Sequence, residues 1–136
     1  MQDEQTGNSM SATAWKVLTL VLLVEAVGGV VLMWSVLQAF FAASNEPLTQ
    51  RLSILLSALV AFAWVIVTLY GVFVKRASWA RGSALTLHVL MFAAGTGVLQ
   101  GIVGTPLLGW GLIACAFVGF FSAMLARPAA HPVDES

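Results

Sequence analysis

Four stretches of this chain stay apolar for about twenty residues or more, the length a helix needs to cross a bilayer. They run over about 15–43, 52–74, 82–103 and 107–126, with only short breaks between them. Ser44, Asn45, Glu46 and Pro47 make the first break. The basic cluster Lys75, Arg76, Ala77, Ser78, Trp79, Ala80 and Arg81 makes the second, and Gly101, Gly104, Thr105 and Pro106 supply the third, a tight turn. Glu46, standing before proline, is disfavoured in a helix, and Ser, Asn, Gly and Pro are turn formers. Inside lipid no water pairs with the backbone, so a single-chain span of this kind must be helical. The pattern therefore predicts an all-α membrane protein, a bundle of four transmembrane helices with short loops that make consecutive helices antiparallel. A polar tail over 1–13 precedes this 14–127 domain and a second polar tail over 128–136 follows it.

Composition excludes several alternatives. With 60% hydrophobic and 9% charged residues, the chain has too few charges to cover a soluble domain, to remain disordered or to present a basic face to nucleic acid. The first apolar run exceeds the roughly 7 to 15 residues of a signal-peptide core, and no basic residue precedes it. It is expected to remain as a membrane span. The polar tail over 1–13, with no hydrophobic pattern, is expected to be a solvated tail.

Charge placement sets the expected orientation. In a four-span chain both tails and the middle loop share one side, which collects Lys16, Lys75, Arg76, Arg81 and Arg127 against Arg51 on the other. The positive-inside rule then places both termini in the cytoplasm of a cell-membrane protein. Trp15 and Trp79 sit beside these charges, where interfacial anchors are expected, and Trp110 lies near the opposite interface.

Chemistry-bearing groups are scarce. The sequence has no phosphate loop, dinucleotide fingerprint, GxSxG elbow or zinc motif, so the expectation is a chain that is no enzyme and holds no cofactor or metal. The single Cys115 cannot form an intramolecular disulfide. Glu25 is the informative residue, because a carboxylate at bilayer depth costs about 2.5 to 3.5 kcal/mol and calls for a partner. His88 is the foremost candidate: at about 1.5 Å per residue, Glu25 and His88 lie roughly 13 and 10 Å in from the same boundary. Thr86 and Ser57 are further candidates. Such a pair serves either as a bond between helices or as a proton relay.

Small residues form a second pattern. Gly28 and Gly29 share a face with Glu25, Gly97 and Gly101 make a GxxxG on the third span, and Gly111, Cys115, Gly119 and Ala123 recur every fourth position on the fourth. Such stripes let helix backbones approach closely, so they are expected to pack helices together. Phe117, Phe120 and Phe121 are expected to face lipid or the core.

Glu25, Gly28, Leu32 and Met33 faintly resemble the first helix of the small multidrug resistance transporters, and the likeness covers that helix alone. Over most of the chain the sequence resembles the small four-span integral membrane proteins of actinobacteria, through Trp79, Ala80 and Arg81 in the basic loop and Gln100 and Gly101 at the end of the third helix. His88 stands where those proteins are expected to carry Gln. The resemblance implies the fold and the membrane class and assigns no site residue. The expected role is a non-enzymatic accessory or structural membrane protein that packs with a membrane partner or with itself. The alternative is a small proton-coupled transporter that uses Glu25.

Overall fold

Proline and glycine punctuate the helices in the computed structural model, which describes residues 2–101 and 104–127. Helix α1 spans Gln2–Ala42, α2 Leu48–Tyr70, α3 Ser78–Leu99 and α4 Pro106–Leu125, and a π-helical turn, Gly71–Lys75, prolongs α2. Pro47 takes an extended conformation immediately before α2, and Pro106 opens α4, where its missing N–H leaves no helical bond unmade. Gly101 and Gly104, at φ of 82° and 84°, occupy the left-handed region on either side of the α3–α4 turn. All four helices are long and apolar enough to cross a membrane, and the described residues contain no strand. The chain is an all-α, multi-pass membrane protein.

Four boundaries differ from expectation, and two of them are the starts of α2 and α3, each four residues early, at Leu48 and Ser78. The polar segment expected as a solvated tail is helical from Gln2, and α1 reaches 41 residues, about twice a membrane span. Asp3 and Glu4 stand in its first turn, where acidic groups favour the positive end of the helix dipole. Buried Ser11 and the close approach of Gly7 to the Arg127 guanidinium give the segment tertiary support. Helix α3 ends at Leu99, earlier than the expected 103, because the chain turns at Gln100 and Gly101. Positions 102–103 and the expected tail over 128–136 lie outside the described residues.

Helix α1 packs against α2 and α4, and α3 packs against α4 and α2. Helices α1 and α3 stand on the diagonal, with no Cα of one within 8 Å of a Cα of the other. The core cluster consists of Ala14, Trp15, Leu18, Leu22, Val72, Ala80, Ala84, Ala123 and Ala126, all toward the end that carries the middle loop. Along α1, buried Ser11, Ala14, Trp15, Leu18, Leu22 and Ala26 recur at helical spacing and form one stripe that faces the bundle. Burial stops there: no residue of α1 beyond Ala26 is buried, and α2 buries only Thr68. Each hairpin nevertheless stays packed farther along. A Cβ on Gly29 would lie 2.6 Å from the Phe62 ring, and one on Gly95 would lie 2.8 Å from Ile113 and 3.1 Å from the Gly109 carbonyl.

Candidate functional site

Glu25 reaches across the bundle from α1 to His88 on α3, and its Oε1 lies 3.0 Å from His88 Nε2. Both side chains are sealed, at 6% and 0% exposure respectively. Because the two helices make no Cα approach of their own, these side chains span the diagonal between them. Room for the imidazole comes from Gly119 on α4, where an added Cβ would fall on the ring.

Hydrogen-bond chemistry fixes one of the two His88 nitrogens. Nδ1 lies 2.6 Å from the Ala84 carbonyl, which can only accept, so Nδ1 carries a proton and donates it. A hydrogen bond between Nε2 and Oε1 then needs one proton between them. It resides either on Glu25, giving a neutral acid and a neutral imidazole, or on Nε2, giving a carboxylate and an imidazolium. Glu25 Oε2 is buried with no hydrogen-bond partner. In the first arrangement it is an unpaired carbonyl oxygen, and in the second an unpaired charged one, which costs more to bury. His88 also lines a cleft of about 180 Å³, whose other lining residues, Val89, Phe92, Ala116, Phe117 and Phe120, are apolar. Thr86 and Ser57, the other candidate partners of Glu25, bond instead to the carbonyls of Gly82 and Ser53 on their own helices.

The basic and aromatic residues expected as interfacial anchors divide into two groups. Lys16 and Arg76 are exposed, and Trp79 is half-exposed with its ring against Gly71. Lys75 lies in the π-helical turn. Trp15, in contrast, is 3% exposed and points into the bundle, where its indole N–H donates to the Arg127 carbonyl at 2.7 Å. Burying the ring and pairing its N–H inside the protein takes it out of the interfacial belt. Arg81 also works internally. Its Nε and Nη2 donate to the carbonyls of Ala123 and Met124 at 2.8 and 2.9 Å, and the Arg127 N–H donates to Ser11 Oγ at 2.8 Å. The last carbonyls of α4 lack intrahelical partners and carry the negative end of its dipole, so a guanidinium is well matched to them.

The small-residue stripes do not act as units. Gly119 and Ala123 face inward, but Gly111 has no neighbouring atom within 4 Å of where a Cβ would stand, and Cys115 is half-buried. A step of four residues turns a helix about 400°, so such a stripe drifts about 40° per step and leaves the interface. The buried positions of α4 are instead Gly109, Ala116 and Ala123, seven apart, with Gly119 and Ser122 between the latter two. Gly101 is a turn residue with open space around it, and Gly28 is equally open. The close contact between α3 and α4 is made by Gly95 and Gly109, while Gly97 is half-buried beside it.

A second polar link, not expected from the sequence, joins α2 to α3. Trp64 Nε1 donates to Ser83 Oγ at 2.7 Å, and the Ser83 and Thr68 hydroxyls lie 2.7 Å apart. Its signal was available in Thr68 and Ser83, hydroxyls within apolar segments that need acceptors. Among the described residues, no three of His, Cys, Asp and Glu come together as a metal site. Neither family models, nor curated proteins, nor solved structures give a match to this chain.

Proposed function

We propose that the chain is a non-enzymatic structural or accessory protein of the cell membrane, with both termini cytoplasmic, which packs with a membrane partner or a second copy. One observation carries this reading: the Glu25–His88 pair joins two diagonal helices while almost wholly buried, and the cleft that His88 lines is otherwise apolar. A bond so placed holds helices in register, and its insulation disfavours proton traffic. Beyond it, the two hairpins leave their apolar faces to the membrane, and open Gly28 lies on that part of α1.

A proton-coupled transporter is the second reading, favoured by the single proton between Oε1 and Nε2 and by the unpartnered Oε2. Reconstituted vesicles under an imposed pH gradient separate the two. The structural reading expects proton entry no faster than in protein-free vesicles, and a discrete disulfide-linked species from Gly28→Cys in native membranes. Proton entry that Glu25→Gln abolishes would overturn it.

A further inference from the structure

We propose that a groove between α1 and the π-helical turn is a binding site for one anionic glycerophospholipid, its phosphate held by Lys16 and Arg76. The groove, of about 310 Å³, places these two cations above an apolar trough that includes Leu20, Leu23 and Phe73, and no acidic residue lines it. The one ion pair among the described residues is that of His88 with Glu25, so among them no side chain neutralises either cation. A charged rim over an apolar trough has the amphipathic form of a phospholipid, a phosphodiester above an acyl chain.

The backbone around Arg76 is built in an unusual way. The five-residue π turn closes with the Arg76 N–H donating to the Gly71 carbonyl, and Arg76 itself takes φ 43° and ψ 42°, left-handed for a residue with a Cβ. Single π turns and left-handed non-glycine residues both cost energy and gather at functional sites. Here they end α2 with the guanidinium on the groove shared with α1. Gly71 makes the turn possible, because a Cβ there would collide with Trp79 and lie 2.8 Å from Ala80.

The site is tested on the purified full chain in detergent, with phosphatidylglycerol and phosphatidylcholine compared by native mass spectrometry and thermal unfolding. Wild type should retain one phosphatidylglycerol in preference to phosphatidylcholine and unfold at a higher temperature with it. Lys16→Gln combined with Arg76→Gln should lower that preference on the order of tenfold, since each cation near an anionic lipid contributes a several-fold gain. Leu20→Trp, which fills the trough and leaves both charges, should also reduce retention. It decides the matter if the double variant does not fold. Equal retention of the two lipids by wild type overturns the proposal, as does an undiminished preference in the double variant or, where that does not fold, in Leu20→Trp. Inorganic phosphate alone reproducing the thermal shift would assign the cations to a free anion. A wild-type dimer that Leu20→Trp dissociates would assign the groove to a second copy.

Discussion

His88 and Gly119 are complementary: the imidazole on α3 occupies the space that a side chain on α4 would fill. Glycine is therefore required at 119 by a histidine on another helix, and the same vacancy lets His88 extend toward Glu25. Gly119→Ala should displace the ring, break its bond to Glu25 and destabilise the bundle by about 2 kcal/mol or more, the usual scale of core overpacking with a hydrogen bond lost. Gly111→Ala, where nothing lies within 4 Å, should be neutral or gain up to about 1 kcal/mol from helix propensity. Denaturant titration of both variants in the same micelle measures the difference, and equal effects would remove the packing argument.

Glu25 itself can be dissected by isosteres. Glu25→Gln keeps a donor for His88 Nε2 and a carbonyl oxygen at the unpartnered position, so it should stay within about 0.5 kcal/mol of wild type. Glu25→Leu leaves Nε2 buried and unpaired and should cost about 1 to 2 kcal/mol, near the upper range for hydrogen bonds between membrane helices. His88→Ala adds a cavity beside Gly119 and should cost more than either. Unfolding free energies in that order support a bond between helices; a Glu25→Gln variant as unstable as Glu25→Leu would show that the carboxyl group itself is needed.

Much of this arrangement was legible in the sequence, and the illegible part has physical causes. Four apolar runs of spanning length, bounded by Pro47, the basic cluster and Pro106, carry the helix count and connectivity. Depth counting from Lys16 and Arg81 brings Glu25 and His88 to nearly one level, because rise per residue is constant in a helix. Which face a glycine presents is a different matter. Gly111 and Gly119 share a spacing pattern but not an environment, since rotation about the helix is set by packing with neighbours that a single segment does not reveal. Trp15 illustrates the same limit: its place beside Lys16 suits an interfacial ring, yet a carbonyl 112 positions away captures it. The helical amino segment escaped because its support comes from Arg127, at the far end of the chain.

Arg81 should prove more important to stability than its partly exposed position suggests. Its two donors address two successive carbonyls at the end of α4, a fork that a lysine ammonium cannot reproduce. Arg81→Lys and Arg81→Ala should therefore both cost about 1 to 2 kcal/mol, the scale of hydrogen bonds to a charged group. Amide exchange should rise most at the last turn of α4. If Lys restores wild-type stability, charge near the helix end suffices and the fork is irrelevant.

Trp15→Phe isolates a single hydrogen bond in the same region. The ring remains in the core, while the Arg127 carbonyl loses its donor, so the expected cost is about 1 kcal/mol. Indole fluorescence supplies a second measurement. Wild-type Trp15 should resist collisional quenching by water-soluble agents that reach Trp79, which is 49% exposed at the same end of the bundle. Quenching of Trp15 as efficient as that of Trp79 would place its ring outside the core.

Arg76→Gly separates backbone strain from charge at the π turn. A left-handed residue with a Cβ costs about 1 to 2 kcal/mol, and glycine removes that cost while adding about 0.5 to 1 kcal/mol of backbone entropy to the unfolded chain. The net expectation is a chain as stable as wild type, or up to about 1.5 kcal/mol more stable, when no anionic lipid is present. Arg76→Gln keeps the strained backbone and should show no such gain. Both substitutions remove the guanidinium from the groove, so both should weaken stabilisation by phosphatidylglycerol. Thermal unfolding of the two variants, with and without that lipid, reads strain and charge apart: strain appears as a difference between the variants without lipid, and charge as a loss common to both with it. A wild type that gains no more from the lipid than Arg76→Gln does would leave the left-handed arginine without a ligand to account for it.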